Sequence, residues 1–378
     1  MTFHYVREGE NVLTIAREHG VSPVRLIEEN GLADPDRLAI GQCLAIYRSS
    51  RSYTVRGGDT VDGILRRFSI GARELLKFNP GIGEKRLLYP GQSLSLGRAE
   101  TPYGTMTVNG WVRRGIPLSK LRSFASALSY LTIIDSNYSD RSGFDEQKER
   151  DLIDFSFQNG ILPLLLVRPF GDPSAFAKSL GRLGYRGAVL RDTGDADLIN
   201  RYAEALKSAS LVCILPHSTK VADASCDWLA VGFADHREPI QKHFSELICD
   251  DKSTYRMMLE LPYLGVESSP SDGACIRTFP LSDCARIAYR RNAPIKMRTD
   301  GKMCFSYDVT VSGVHKEREI CFEDLASIQK GLAMLGESGV SGISVYPEAS
   351  PSGLPTLLHR LFDVIKAEGE RADGRYAR

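Results

Sequence analysis

Two patterns of apolar residues divide the chain. Over the first hundred residues they fall at helical spacing in short segments: Val12, Ile15 and Ala16 followed by Leu26, then Val61, Ile64 and Leu65 followed by Leu75. From about Thr101 the pattern changes to short continuous runs: Thr105–Val112, Leu131–Asp135, Ile161–Val167, Gly187–Arg191, Leu211–Leu215, Trp228–Phe233, Met257–Leu261 and Gly342–Tyr346. Such runs read as strands buried on both faces. Amphipathic stretches between them (Lys120–Ser129, Glu146–Asn159, Pro173–Leu183 and Asp197–Ser208) read as helices. Eight strands with helical crossovers predict an α/β fold, a (β/α)8 barrel of TIM type, for which about 250 residues is usual. An open doubly wound sheet is the alternative, but no Gly-rich phosphate loop follows the first strand.

The first hundred residues are an internal repeat. Tyr5-Val6-Arg7-Glu8-Gly9-Glu10-Asn11-Val12 aligns with Thr54-Val55-Arg56-Gly57-Gly58-Asp59-Thr60-Val61, and Gly41-Gln42-Cys43-Leu44 with Gly91-Gln92-Ser93-Leu94. In each copy a short strand runs to an acidic-polar pair suited to capping a helix. A second helix then stops at Asn30-Gly31 or Asn79-Pro80-Gly81, and a strand closes the βααβ unit. Boundaries at 1–48, 51–98 and 101–378 follow.

Each repeat resembles the LysM domain, on the turn Gly58-Asp59-Thr60-Val61, the helix end Asn79-Pro80 and the segment Pro90-Gly91-Gln92-Ser93-Leu94. The resemblance implies a shallow groove for N-acetylglucosamine polymers, peptidoglycan or chitin. Gly9, Glu10, Asn11, Val12, Asn30, Gly31 and Leu32 would line one groove. Gly58, Asp59, Thr60, Val61, Asn79, Pro80, Gly81 and Ile82 would line the other. The first copy departs more from the pattern and is expected to bind more weakly, and tandem weak sites gain through effective concentration.

Composition narrows the partners. With 48 Lys and Arg against 47 Asp and Glu, net charge is +1 and gives no reason to expect nucleic acid or an anionic membrane as partner. No run reaches the ~20 apolar residues of a membrane span, and no secretory signal is read at the N-terminus. The eight cysteines show no C-x-x-C spacing and several lie in apolar runs, so reduced buried thiols are expected. No metal or other cofactor is expected.

Residues 101–378 resemble family 18 glycoside hydrolases, in the branch that carries two LysM domains in spore cortex-lytic and germination glycosidases. Ile320-Cys321-Phe322-Glu323-Asp324-Leu325 followed by Gly342-Ile343-Ser344-Val345-Tyr346 carries the resemblance most clearly. Asn109-Gly110-Trp111, Ser136-Asn137-Tyr138, Asp227–Asp235 and Leu261-Pro262-Tyr263-Leu264-Gly265 follow in family order. The resemblance implies a D-x-x-D-x-D-x-E motif on the fourth strand, whose alternate carboxylates share the barrel mouth. Its Glu protonates the leaving oxygen while the preceding Asp orients the substrate's acetamido nucleophile.

Those carboxylates are missing here. Aligned on Gly184-Tyr185-Arg186-Gly187, the motif positions hold Arg186, Val189, Arg191 and, for the acid, Thr193. A threonine hydroxyl is no general acid near neutral pH, and general acid catalysis alone typically contributes ~10²–10⁴-fold. Asp192-Thr193-Gly194-Asp195-Ala196-Asp197 repeats part of the spacing but reads as a loop entering a helix. Asp192, Asp235 and Glu348 are fallback acids, and Trp111, Tyr138, Asp235 and Tyr346 are candidates for a barrel sugar site. A buried arginine needs a counter-charge, so Arg191 is expected to pair with Asp235, Glu260 or Glu348. Three readings follow: a peptidoglycan-binding spore or cell-wall protein with an inactive barrel, an active N-acetylglucosaminidase using a displaced acid, and a structural spore-layer protein whose barrel holds protein partners. The resemblance implies synthesis in the mother-cell cytoplasm and deposition on the spore surface or cortex.

Overall fold

The structure, a computed structural model, describes residues 1–48, 51–79, 82, 87–97, 101–134, 146–217, 226–233, 235–250, 256–271 and 273–366. The first repeat is β1 (Thr2–Tyr5), α1 (Val12–His19), α2 (Pro23–Asn30) and β2 (Cys43–Ile46), with β1 antiparallel to β2. The second is β3 (Ser52–Thr54), α3 (Val61–Phe68), α4 (Ala72–Phe78) and β4 (Ser93–Ser95), paired the same way.

The chain folds this way for local reasons. Asn11 caps α1 by accepting from Thr14 N, and the Thr14 hydroxyl accepts in return from Asn11 N. Thr60 caps α3 through Gly63 N. Left-handed glycines end α1 (Gly20) and α2 (Gly31). The apolar stripes of each repeat close a small core, Ile15 with Leu26 and Leu44 in one, Ile64 with Leu75 and Leu94 in the other.

After the repeats come β5 (Thr105–Arg113), α5 (Leu118–Arg122), β6 (Tyr130–Ile134), α6 (Glu146–Gln158), β7 (Leu162–Val167), α7 (Pro173–Arg182) and β8 (Gly187–Leu190). Next are α8 (Ala196–Ser208), β9 (Val212–Pro216), β10 (Trp228–Val231), α9 (Ile240–Asp250) and β11 (Met257–Glu260). An unanticipated insertion follows: β12 (Leu264–Ser268), β13 (Cys275–Pro280), α10 (Leu281–Arg290), β14 (Lys296–Met297), β15 (Met303–Val311) and β16 (Val314–Phe322). Its sheet is antiparallel, in the order β13-β12-β16-β15-β14. The chain returns through α11 (Leu325–Ser338), β17 (Gly342–Val345), α12 (Leu354–Leu361) and β18 (Asp363–Val364). Strands β5 to β11 and β17 are parallel neighbours, and β17 pairs with β5, with Val345 opposite Gly110, to close an eight-stranded barrel. Two LysM-like units before an α/β barrel are therefore the fold.

Two sequence expectations need correction. The stretch 120–129 is not one helix: α5 ends at Arg122 and a 3-10 turn, Ala125–Ala127, follows. Nor are all the cysteines reduced. Cys304 and Cys321 face each other across β15 and β16 and form a disulfide, whereas Cys43, Cys213, Cys226, Cys275 and Cys284 are free. Pairing across this hairpin follows from its register, which cysteine spacing alone does not reveal.

The repeats rest on the barrel. One face of the β1–β2 ribbon, with Met1, Phe3, Tyr5, Ala45 and Tyr47, joins the core beneath the barrel helices. Gly31 and Gly41 make the closest approaches: a Cβ on Gly31 would fall 2.3 Å from Ser352 Cβ, and one on Gly41 would fall 2.0 Å from the Ile295 carbonyl oxygen. No helix among the described residues is long and apolar enough to cross a membrane.

Candidate functional site

In both repeats the loop acid holds the turn. Glu10 accepts from Arg7 N at 2.8 Å and contacts His4 Nε2 at 2.7 Å. Asp59 accepts from Arg56 N at 2.7 Å and from the Tyr53 hydroxyl at 2.6 Å, bonds that hold its carboxyl below the usual range. Asn30 and Asn79 are buried. Asn79 Nδ2 donates to Leu75 O and Ser95 O, and its Oδ1 accepts from Ser95 N, all at 2.7 Å. Asn30 makes the same three bonds to Leu26 and Ala45. These side chains lash the second helix to the closing strand. Val12, Val61 and Ile82 are likewise core residues, and Leu32 packs beside the first repeat's core. Gly9, Asn11, Gly58 and Thr60 stay exposed at the turns, while Pro80 and Gly81 lie outside the described residues.

The Asn30–Leu32 loop forms one wall of a cleft of about 550 Å³ whose other wall includes Lys120, Arg286, Glu348 and Ser352 of the barrel and its insertion. Glu348, a fallback acid, therefore belongs to this cleft.

The barrel interior settles which way β8 faces. Val189 packs inside the barrel with Trp111, Leu164, Ile214 and Met258. Ala188 and Leu190 face outward into the main core. By alternation the sides that bear Arg191 and Thr193 continue inward past the strand's end. Arg191 is exposed, however, and makes no ion pair among the described residues, contrary to expectation. The strand stops at Leu190, so the guanidinium stays in solvent and needs no counter-charge. Arg186, at the opposite end, lies over the Phe157 ring. Thr193 is half-buried and its Oγ1 accepts from Asp195 N at 3.3 Å. Asp192 accepts from Gly194 N, and Asp195 caps α8 through Leu198 N. Asp235 is held by Arg237 in a two-toothed pair that pulls its carboxyl down to about 2. A carboxyl so acidic is a poor proton donor near neutrality.

The group sequence reading undervalued is Glu260, which ends β11 one alternation beyond the interior residue Met258. A Cβ on Gly232 would lie 3.7 Å from Glu260 Oε2, and Phe233 bonds the carboxyl through its backbone. Burial pushes the Glu260 carboxyl up to about 8, only partly opposed by that bond. Glu260 also influences Tyr263 and Tyr346, whose hydroxyls sit above their usual range through burial first and its charge second. The Tyr263 and Tyr346 rings stack 3.9 Å apart, and Trp111 lies parallel to Tyr346 at 6.3 Å. Tyr138, the fourth sugar-site candidate, is outside the described residues. His236, held down to about 4 by burial and Lys302, packs edge-on against Tyr263. A protonated carboxyl among stacked aromatics at the C-terminal ends of barrel strands is where this fold usually carries function. Its only sequence signal was a carboxylate at the end of an apolar run.

Comparison with known proteins fits this layout. Residues 4–46 and 53–97 match the LysM domain family, so the two repeats are LysM domains. The whole chain superposes on two spore cortex-lytic enzymes called SleL. With that of Bacillus cereus the TM-score is 0.67 at 16% identity, covering 97% of this chain and 99% of the other. With that of Bacillus megaterium it is 0.66 at 15%, covering 96% and 98%. A chitinase from Chromobacterium violaceum follows at TM-score 0.50 and 11% identity, covering 68% and 98%. At these identities the likeness is one of fold. In sequence, an endolysin of Bacillus phage B103 is 28% identical over 98 residues, 25% of this chain and 37% of that protein. An N-acetylmuramoyl-L-alanine amidase, sle1, of Staphylococcus haemolyticus is 30% identical over 106 residues, 25% of this chain and 32% of that protein. The chain thus matches about a third of the length of these curated relatives.

Proposed function

We propose that the chain binds peptidoglycan, or another N-acetylglucosamine polymer, of the spore or cell wall through its LysM pair, and that its barrel does not run the family 18 reaction. The observation that carries this reading is the interior position of Val189. It supports a register in which the motif positions after Val189 fall on Arg191 and Thr193 rather than on carboxylates. The candidate acids at Asp192 and Asp235 are engaged in a turn and an ion pair. The spore placement rests on the likeness to the SleL enzymes. Sedimentation with insoluble peptidoglycan tests the binding. Full-length protein should co-sediment and residues 101–378 should not; equal binding by the fragment would refute the LysM assignment of function. Purified cortex fragments should show no release of reducing ends.

Glu260 favours a second reading, a glycosidase with a displaced acid, because a carboxyl that stays protonated near neutrality can donate a proton. Release of reducing ends that Glu260→Gln abolishes, with polymer binding intact, would replace the inactive reading by this one.

A further inference from the structure

The first LysM domain carries a cluster that its sister lacks. The His4 ring, on β1, is buried, with Nε2 2.7 Å from Glu10 Oε2 and Nδ1 3.0 Å from His19 Nε2 at the end of α1. Glu18 is beside them: His4, Glu18 and His19 bring one ligand atom each within 4.8 Å of one another. The Glu18 carboxylate also meets the exposed Arg7 at 3.1 Å. In the second domain Tyr53, Asp59, Arg67 and Phe68 stand in these four places. There the Tyr53 hydroxyl donates to Asp59 and Arg67 Nη1 donates to Tyr53. The carboxylate common to both repeats holds the turn. The imidazole pair and Glu18 are peculiar to the first.

We propose that His4, Glu18 and His19 form a site for a divalent cation of the zinc class, with Glu10 as the residue that orients His4. Two imidazole nitrogens on a tetrahedral zinc, each about 2.0–2.1 Å from the metal, stand about 3.4 Å apart. His4 Nδ1 and His19 Nε2 need to separate by only a few tenths of an ångström to reach that spacing. A carboxylate accepting the other N–H of a ligating histidine is the usual outer partner of such a ligand. Glu10 does this: it takes His4 Nε2–H and leaves the lone pair on Nδ1. Without metal, His19 Nε2–H donates to that lone pair. Binding removes this proton to solvent or to His19 Nδ1, and both inward nitrogens then face the cation. Glu18 exchanges Arg7 for the metal, and because Glu18 is exposed a fourth position stays open to water. Two imidazoles and one carboxylate suit zinc or cobalt(II) better than calcium or magnesium.

The test is a titration of untagged, chelator-stripped full-length protein with Co²⁺, followed by absorption in the visible, and then displacement by Zn²⁺. One equivalent should bind. His19→Phe should weaken uptake at least ~100-fold, Glu18→Gln, which also removes a ligand, at least ~10-fold, and Glu10→Gln ~10–100-fold, the range seen when a ligand's support is removed. Zn²⁺ should raise the unfolding temperature of the wild type but not of His19→Phe. No saturable uptake, or uptake that His19→Phe leaves unchanged, overturns the site. Should that variant not fold, unchanged uptake by the surface variant Glu18→Gln does so equally.

Discussion

Arg360 on α12 and Glu29 on α2 meet in a buried ion pair, Nη2 to Oε1 at 3.2 Å, across 331 residues of sequence. Glu29 Oε1 also accepts from Arg25 Nη2 at 2.6 Å. The Arg360 guanidinium lies over the rings of Tyr47 and Phe78 at 5.2 and 4.9 Å, so one barrel side chain touches both LysM domains. Removing the shared carboxylate leaves two arginines facing each other in a buried site. Glu29→Ala should therefore destabilise by roughly 3–5 kcal/mol, the cost of orphaning buried charge. Arg360→Met, which keeps the apolar bulk, should be milder and should loosen the repeats from the barrel. Denaturant unfolding together with limited proteolysis near residues 97–103 checks both; equal effects would show that the ion pair is not what couples the domains.

Asn79 gives a different kind of prediction, because sequence reading assigned it to a sugar groove. It makes three buried bonds to the backbone of Leu75 and Ser95. Asn79→Ala leaves Ser95 N and O without those partners, so the second LysM domain should lose ~1–3 kcal/mol. Any loss of polymer binding should track the fraction unfolded and vanish at low temperature. A variant with unchanged unfolding but weakened binding would return Asn79 to the groove.

The Glu260 carboxyl predicts a pH dependence whose sign can be worked out. Its folded value, about 8, lies above the ordinary 4.5, so the native state holds a proton that the unfolded chain has released between these limits. Stability attached to this group is present below about 4.5 and is lost as pH rises through 8. Glu260→Gln cannot ionise. Relative to wild type it should gain stability from pH 5 to pH 8, by at most ~1.4 kcal/mol per unit of pH, and the gap should level off above that. Thermal unfolding of both proteins at pH 5, 7 and 9 measures it. A constant difference across the series would mean that the carboxyl ionises normally.

How legible all this was in the sequence depended on how local its cause was. The eight barrel strands were visible because a strand buried on both faces, such as Leu162–Val167, reads as an unbroken apolar run. The inserted sheet was not. β16 opens with Val314-His315-Lys316-Glu317, exposed on both sides, and carries no alternation to betray it. The LysM repeats declared themselves by self-similarity, yet the bracing role of their asparagines did not, because it depends on what lies across from the helix end. The inward positions of β8 could be read by counting, and Val189 packs inside the barrel as that alternation requires. The Arg191 pairing failed because burial was inferred for a residue just past the strand's last member. Glu260 was seen only as a charge, because its environment comes from Gly232, Tyr263 and Tyr346, on separate strand ends.

The least legible feature is the docking of the first repeat on the barrel, and an internal control isolates it. Gly41 and Gly91 occupy equivalent turns, with φ of 80° and 87°, so alanine at either is strained by the backbone to a similar degree, ~1–2 kcal/mol. Their surroundings differ. A Cβ on Gly91 meets nothing within 4 Å, whereas one on Gly41 would fall 2.0 Å from the carbonyl oxygen of Ile295, which itself accepts no give from a flexible side chain because it is backbone. The contact is fixed from the other side too, since Ile295 N donates to Ile40 O at 2.8 Å. Gly91→Ala should therefore show the backbone strain alone. Gly41→Ala should cost clearly more, by displacing the first LysM domain from the insertion that carries Ile295. Unfolding of the two variants side by side, with hydrogen exchange at Ile295 N as a local probe, measures the difference. Equal destabilisation, with Ile295 N protected in both, would mean that the first repeat yields without leaving the barrel.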